Sequence, residues 1–178
     1  QIIVSMPSLE DERFYKTVIY ICAHSSEGSM GIIINKKIDY DLYPDLLQQL
    51  GIDKPLNNKK LFIRYGGPVE SGRGFVLHSD DMVRKETLNI DKGVALTSTA
   101  EFFDDLSKGK GPKNCILALG YAGWQPGQLE SEIMRNSWMS LSVDNSFLFD
   151  DEVSKKWSQA YKLMGIDPNS LSFESGQA

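Results

Sequence analysis

A chain of 178 residues with 41% hydrophobic and 24% charged side chains can bury one sizeable core and is too apolar to stay disordered, so one domain over 1–178 is expected. Nineteen basic against twenty-four acidic side chains leave a formal net charge of -5, which argues against direct nucleic-acid binding, since that depends on clustered Lys and Arg. No apolar run approaches the ~20 residues of a membrane span, so no membrane partner is expected.

Ile2 to Met6 reads as a short buried strand stopped by Pro7. Thr17 to Cys22 and Met30 to Ile34 form two β-branched runs across a hairpin turn, Ser25 to Ser29. Asp41 can cap a helix carrying Leu42, Leu46, Leu47 and Leu50, ended by Gly51, with Pro44 tolerated in the first turn. Leu61 to Tyr65 and Gly74 to His78 are strands flanking a glycine-rich loop, Gly66 to Gly72. Thr87 to Ile90 and Val94 to Thr97 are two more.

Ser98 with Glu101 fits a capping box for a helix whose stripe is Phe102, Phe103 and Leu106, closed by Gly109. Ile116 to Tyr121 is a buried strand that runs into Gly120 to Gly127. A helix follows with Leu129, Ile133 and Met134 on one face, then a strand from Trp138 to Val143. The last helix begins near Asp150 and lines up Val153, Trp157, Tyr161 and Met164, and Gly165 ends it. The tail from Asp167 to Ala178 is polar and expected to be loosely held. Hairpins and helices are intermixed without a βαβ repeat, which predicts α+β with a mixed sheet.

Cys22 and Cys115 are the only cysteines. Both lie in apolar runs, so both are expected to be buried and reduced, in a cytoplasmic protein. The chain begins at Gln1 rather than Met, so an upstream segment is expected to be missing.

His24 and His78 each end a predicted strand and precede a serine, Ser25 and Ser79. Such a pair can supply a general base beside a hydroxyl; equally, the ring can bridge core and loop by hydrogen bonds. No nucleophile elbow is present, and no histidine spacing suits a metal, so neither metal nor cofactor is expected. Gly66-Gly67-Pro68 and Gly72-Arg73-Gly74 suggest either an anion-binding concavity or a tight connection. Pro68 removes a donor that the first would need.

Gly120 to Glu132 is the most informative stretch. Glycines 120, 123 and 127 surround Trp124, and a helix then presents Gln128, Glu130 and Glu132. Acidic residues near a helix start have a structural explanation. The competing reading is the rim of a binding cleft, with a flat apolar ring beside polar groups.

Gly120-Tyr121-Ala122-Gly123-Trp124-Gln125-Pro126-Gly127-Gln128-Leu129-Glu130, with Glu132 and Asn136-Ser137-Trp138, resembles the hallmark of the bacterial YqgE/AlgH family. Further matches follow in order: Met6-Pro7, His24, Glu27 to Gly31, Asn35, Gly66 to Val69, and Gly74 to Ser79. Two places depart from it: Asp11-Glu12-Arg13-Phe14 replaces Asp-Pro-x-Phe, and Lys36-Lys37 replaces Arg-Pro after Asn35. The second keeps a charge and loses a bidentate fork.

The resemblance implies an α+β domain with a bifurcated, partly barrel-like mixed sheet surrounded by helices. It implies no reaction, cofactor or catalytic residue. Members often carry a transcriptional-regulator label, which for this acidic chain implies an indirect role. Two functions follow as expectations. The first is a non-catalytic binding or regulatory module for a protein or small-molecule partner, using Trp124, Gln128, Glu130, Glu132, Asn35, His24 and His78. The alternative is a hydrolase or transferase built on His24 or His78.

Overall fold

The computed structural model describes residues 1–38 and 63–171. Among these residues nine strands build one open sheet: β1 (Ile2–Ser5), β2 (Val18–Ser25), β3 (Gly28–Ile33), β4 (Ile63–Tyr65), β5 (Val69–His78), β6 (Leu88–Asp91), β7 (Val94–Thr97), β8 (Cys115–Trp124) and β9 (Trp138–Leu141). Among the described residues four helices pack on it: α1 (Ala100–Ser107), α2 (Gln128–Met134), α3 (Asn145–Phe149) and α4 (Lys156–Leu163). The predicted helix from Asp41 to Gly51 lies outside the described residues, as do 61–62 and 172–178.

The strand order is β6-β7-β5-β8-β3-β2-β1-β9, with β4 joined to β8 off this path. Only the β4–β8 pair is parallel; the others are antiparallel. β3 and β8 touch only from Gly31↔Ala122 to Ser29↔Trp124. Beyond that point β4 enters between them, pairing with Leu117 to Leu119 on one side. On its other side Ile33 N–H donates to the Gly66 carbonyl and Tyr65 N–H to that of Lys36, each at 2.9 Å. The sheet therefore bifurcates at β8, as the resemblance implied, and stays open.

The fork explains the glycine-rich stretch. A Cβ at Gly67 would lie 2.1 Å from the Tyr121 carbonyl carbon, and one at Gly66 2.2 Å from the Gly120 oxygen. Gly120 itself sits at φ 68, a left-handed conformation that side chains resist. These glycines pin two backbones together, which is the tight-connection reading and not an anion loop. The loop expected to run to Gly72 is also shorter, because β5 begins at Val69 and crosses a register shift before Gly74.

Alternation along β1 sends Ile2 and Val4 to one face and Ile3 to the other. The first face packs with Tyr20, Leu77, Leu148, Trp157 and Tyr161 against α3 and α4. Ile3 joins Ile19, Ile33, Trp124, Leu129 and Trp138 beneath α2. Phe102, Phe103 and Leu106 of α1 cover Val76, Leu117 and Leu119. Ser5 anchors α4, its carbonyl accepting from Trp157 Nε1 (2.9 Å) and Tyr161 Oη (3.1 Å).

Several sequence readings need correction. The cap of α1 is Thr99, whose side chain accepts from Phe102 N–H, while Ser98 Oγ accepts from Arg73 instead. β8 continues through Gly120 to Trp124, because β3 and Val69 supply ladder partners that local sequence cannot reveal. Met134 is exposed rather than on the apolar face, since α2 ends there. A short helix, α3, was missed; Asp144 caps it by accepting from Phe147 N–H at 2.8 Å. α4 starts only at Lys156, after a 3-10 turn at Val153–Lys155.

Cys22 is buried, and burial pushes its thiol up to about 12. Cys115, expected to be buried, is only half-buried at the sheet margin. The start of the tail is ordered: Asp167 caps a turn at Pro168–Ser170, and Leu171 packs on the core.

Candidate functional site

β8 delivers Trp124 to the sheet end, where among the described residues it pairs with Ser29 of β3 alone. The chain then turns through Gln125 and Pro126 to Gly127, whose φ of 72 lets it stand at the N-terminus of α2 without a side-chain cap. At the far end of α2, Asn136 at φ 58 reverses the chain, and Ser137 N–H donates back to the Glu132 carbonyl at 2.9 Å. This brings Trp138 alongside Trp124, with ring centroids 6.1 Å apart and planes at 84°. Phe14 packs edge-on against Trp138 at 5.5 Å.

Glu132 lies at the indole N–H edges of the two tryptophans. Its Oε2 accepts from Trp124 Nε1 (2.9 Å) and Trp138 Nε1 (2.7 Å), and its Oε1 accepts from Gln128 Nε2 (2.8 Å). Gln128 Oε1 in turn accepts from Gln125 N–H at 2.9 Å. Donation to a carboxylate is stronger than a neutral hydrogen bond, so the cluster fixes both rings and the turn. Trp124 is only 8% exposed. It is a wall of the core as well as of a hollow.

That hollow, ≈ 350 Å³, is lined by Asp11, Arg13, Phe14, Trp124, Glu132 and Trp138, among others. A second, ≈ 460 Å³, runs along Ser25, Glu27, Ser29, Met30 and Tyr121. Both include Val69, Gly123, Trp124 and Gln128, so they meet there as one groove. A larger hollow of ≈ 700 Å³ lies apart, between α3 and α4, and contains none of the sequence-selected residues.

The seven selected residues divide. Trp124, Gln128 and Glu132 form the cluster. His24 and Glu130 stand at its edge, both about half exposed, with His24 Nε2 3.5 Å from Glu130 Oε1. His24 faces Ser29 across the β2–β3 ladder, Nδ1 to Oγ at 2.7 Å; Ser25, its sequence neighbour, is not its partner. Asn35 is elsewhere: its amide accepts from Val18 N–H and donates to the Lys16 carbonyl, each at 2.8 Å, holding Lys16 at φ 47.

His78 lies at the opposite end of β8, opposite Cys115 and fully buried. Its Nδ1–H donates to the Ser79 carbonyl and its Nε2 accepts from Thr97 Oγ1, both at 2.9 Å. Burial holds its pKa below the usual histidine value. This is the ring that bridges core and loop. Sequence reasoning missed Phe14, Val69 and Trp138 beside Glu132, and Ser29 beside His24, because tertiary packing brings them there.

This open, bifurcated α+β sheet, carrying one aromatic-carboxylate cluster, has known counterparts. A family model described as AlgH-like matches residues 2–169. A protein of Rhodopseudomonas palustris named UPF0301 protein is 49% identical over all of this chain and 87% of its own length. One from Bradyrhizobium diazoefficiens is 47% identical with the same coverage. The solution structure of AlgH from Pseudomonas aeruginosa superposes with TM-score 0.78 at 32% identity, over 99% of this chain and 94% of that one. A Corynebacterium diphtheriae protein shares the fold, with TM-score 0.67 at 19% identity, over 91% and 84% of the two chains. The chain belongs to the AlgH-like family.

Proposed function

We propose that the protein is a non-catalytic binding module that takes its partner in the groove across Trp124. The observation that carries this is the meeting of two hollows at Val69, Gly123, Trp124 and Gln128, where rigid aromatic walls adjoin fixed polar groups. A regulatory role would be indirect, through that partner, because an acidic chain is a poor match for a phosphate backbone. The test is to map a set of small aromatic and polar fragments by amide chemical shifts. Perturbations should cluster at Gly123 to Glu132 and vanish in Val69→Trp, which plugs the groove from a partly exposed position. Clustering elsewhere, in both proteins alike, would sink the reading.

One observation favours a second reading. Ser29, His24 and Glu130 stand in a hydroxyl-imidazole-carboxylate series, the order a hydrolase uses to activate a nucleophile. If Ser29 is activated, an aryl fluorophosphonate will label it, and His24→Gln will abolish labelling with folding intact. Absence of labelling at Ser29 in the native protein removes this alternative.

A further inference from the structure

Glu132 faces its hollow without an ion-pair partner among the described residues. All three groups that donate to the carboxylate are neutral: two indoles and an amide. Among the described residues no Lys, Arg or His forms an ion pair with it. Arg13 is on the same wall, but Asp11 holds it through Nε at 3.0 Å and Nη2 at 2.7 Å. Asp11 is matched by Arg13 and also lies in the field of Lys36, whose Nζ donates to the Arg13 carbonyl at 2.6 Å, so Glu132 is the carboxylate of the hollow without a cation of its own among the described residues, and Glu27 adds another negative group where the groove continues.

A half-buried carboxylate without a counter-ion is unfavourable unless something compensates it. The three donors orient Glu132 and occupy both oxygens, yet a carboxylate has about four acceptor positions. Three donors fill three of them, and the hollow beside Glu132 is walled by Phe14, Trp124 and Trp138. Aromatic faces attract cations, and the Phe14 ring already has the Arg13 guanidinium 5.7 Å from its centroid.

From this, and resting on the groove reading above, we infer that the hollow receives an organic cation, a guanidinium or primary ammonium on a slim stem, paired to Glu132. A partner's basic side chain and a free small cation both present this chemistry. The purely structural role, a clamp on two tryptophans, explains the hydrogen bonds but not an uncompensated charge facing a hollow.

The indole N–H resonances of Trp124 and Trp138 report on Glu132 directly. N-acetyl-arginine methylamide, a Gly-Gly-Arg-Gly-Gly peptide and N-acetyl-citrulline methylamide are titrated against the full chain. The two arginine probes should shift both indole signals saturably, and the neutral citrulline should bind at least about tenfold more weakly. Raising salt from about 50 to about 500 mM should weaken only the arginine probes. Preference for the peptide identifies a protein partner as the source; equal affinity identifies a free cation.

Glu132→Gln should equalise arginine and citrulline. Val69→Trp, which leaves the carboxylate network intact, should block both and guards against an unfolded Glu132 variant. Equal binding of arginine and citrulline to the native protein overturns the cation inference while the groove reading survives. No indole shift with any probe also overturns it, and the fragment map from the same samples then decides the groove reading separately.

Discussion

The two ends of β8 solve the same problem differently. At the Cys115 end His78 is fully buried, and its network closes: ring to Thr97, Thr97 to Thr87 at 2.8 Å, and Thr87 to Arg84 N–H at 2.9 Å. At the Trp124 end the network closes on a carboxylate that, among the described residues, has no ion-pair partner, beside an open groove. Both ends tie aromatic nitrogens to oxygen. Hydrogen bonding therefore does not mark a site by itself.

The comparison presupposes that the fork holds the two ends apart, so its strongest test lies between them. Gly67→Ala puts a methyl group against the Tyr121 carbonyl, with no flexible side chain to yield. The expected loss exceeds about 5 kcal/mol, enough that no folded protein is recovered. A well-dispersed amide spectrum of this variant would show that the fork tolerates separation.

Next comes Trp124→Ala. A ring this buried, packed edge-on against Trp138 and hydrogen-bonded to Glu132, should cost about 3–5 kcal/mol on truncation, measured by urea denaturation. The cleft-rim reading of the sequence expected much less. A loss under about 1 kcal/mol would mean that the tryptophan serves the groove alone.

The smallest effect tests the closed end. His78 has a folded pKa below its unfolded value near 6.5, so the unfolded chain takes the proton first as pH falls. Its contribution is fully present above about pH 6.5 and declines below it. Denaturant midpoints at pH 5.0 and 7.5 should differ more in the native protein than in His78→Asn. Equal slopes would place His78 in a more solvated setting than its burial indicates.

Much of the fold was legible because its signals are local. Short apolar and β-branched runs located the strands over 2–6, 30–34, 87–90 and 94–97 within a residue or two, and the one over 17–22 within three. Boundaries failed where a partner strand decides them, as at Val69 and at Trp124. α3 was missed because five residues carry too little periodicity, although Asp144 is an ordinary cap. The site was half legible. Trp124, Gln128 and Glu132 fall one helical turn or so apart and were read together, whereas Phe14 and Val69 are far off in sequence.

By itself the sequence determined the mixed α+β class, the family pattern and the clustering of Gly120 to Glu132, since each depends on residue types at short spacing. Only the tertiary structure decided what those residues do. Glycines 120, 123 and 127 are alike in the sequence, each close to Trp124. Gly120 is required because two backbones meet at the fork, and Gly127 because the chain must enter α2 with positive φ. Likewise the two histidines were equivalent in sequence, each a strand end before a serine. Burial against Phe102 and Thr97 made one a sealed bridge, and an edge position beside Glu130 left the other open. Solvent access and partner geometry are set by chain segments far apart in sequence, and no local pattern encodes them.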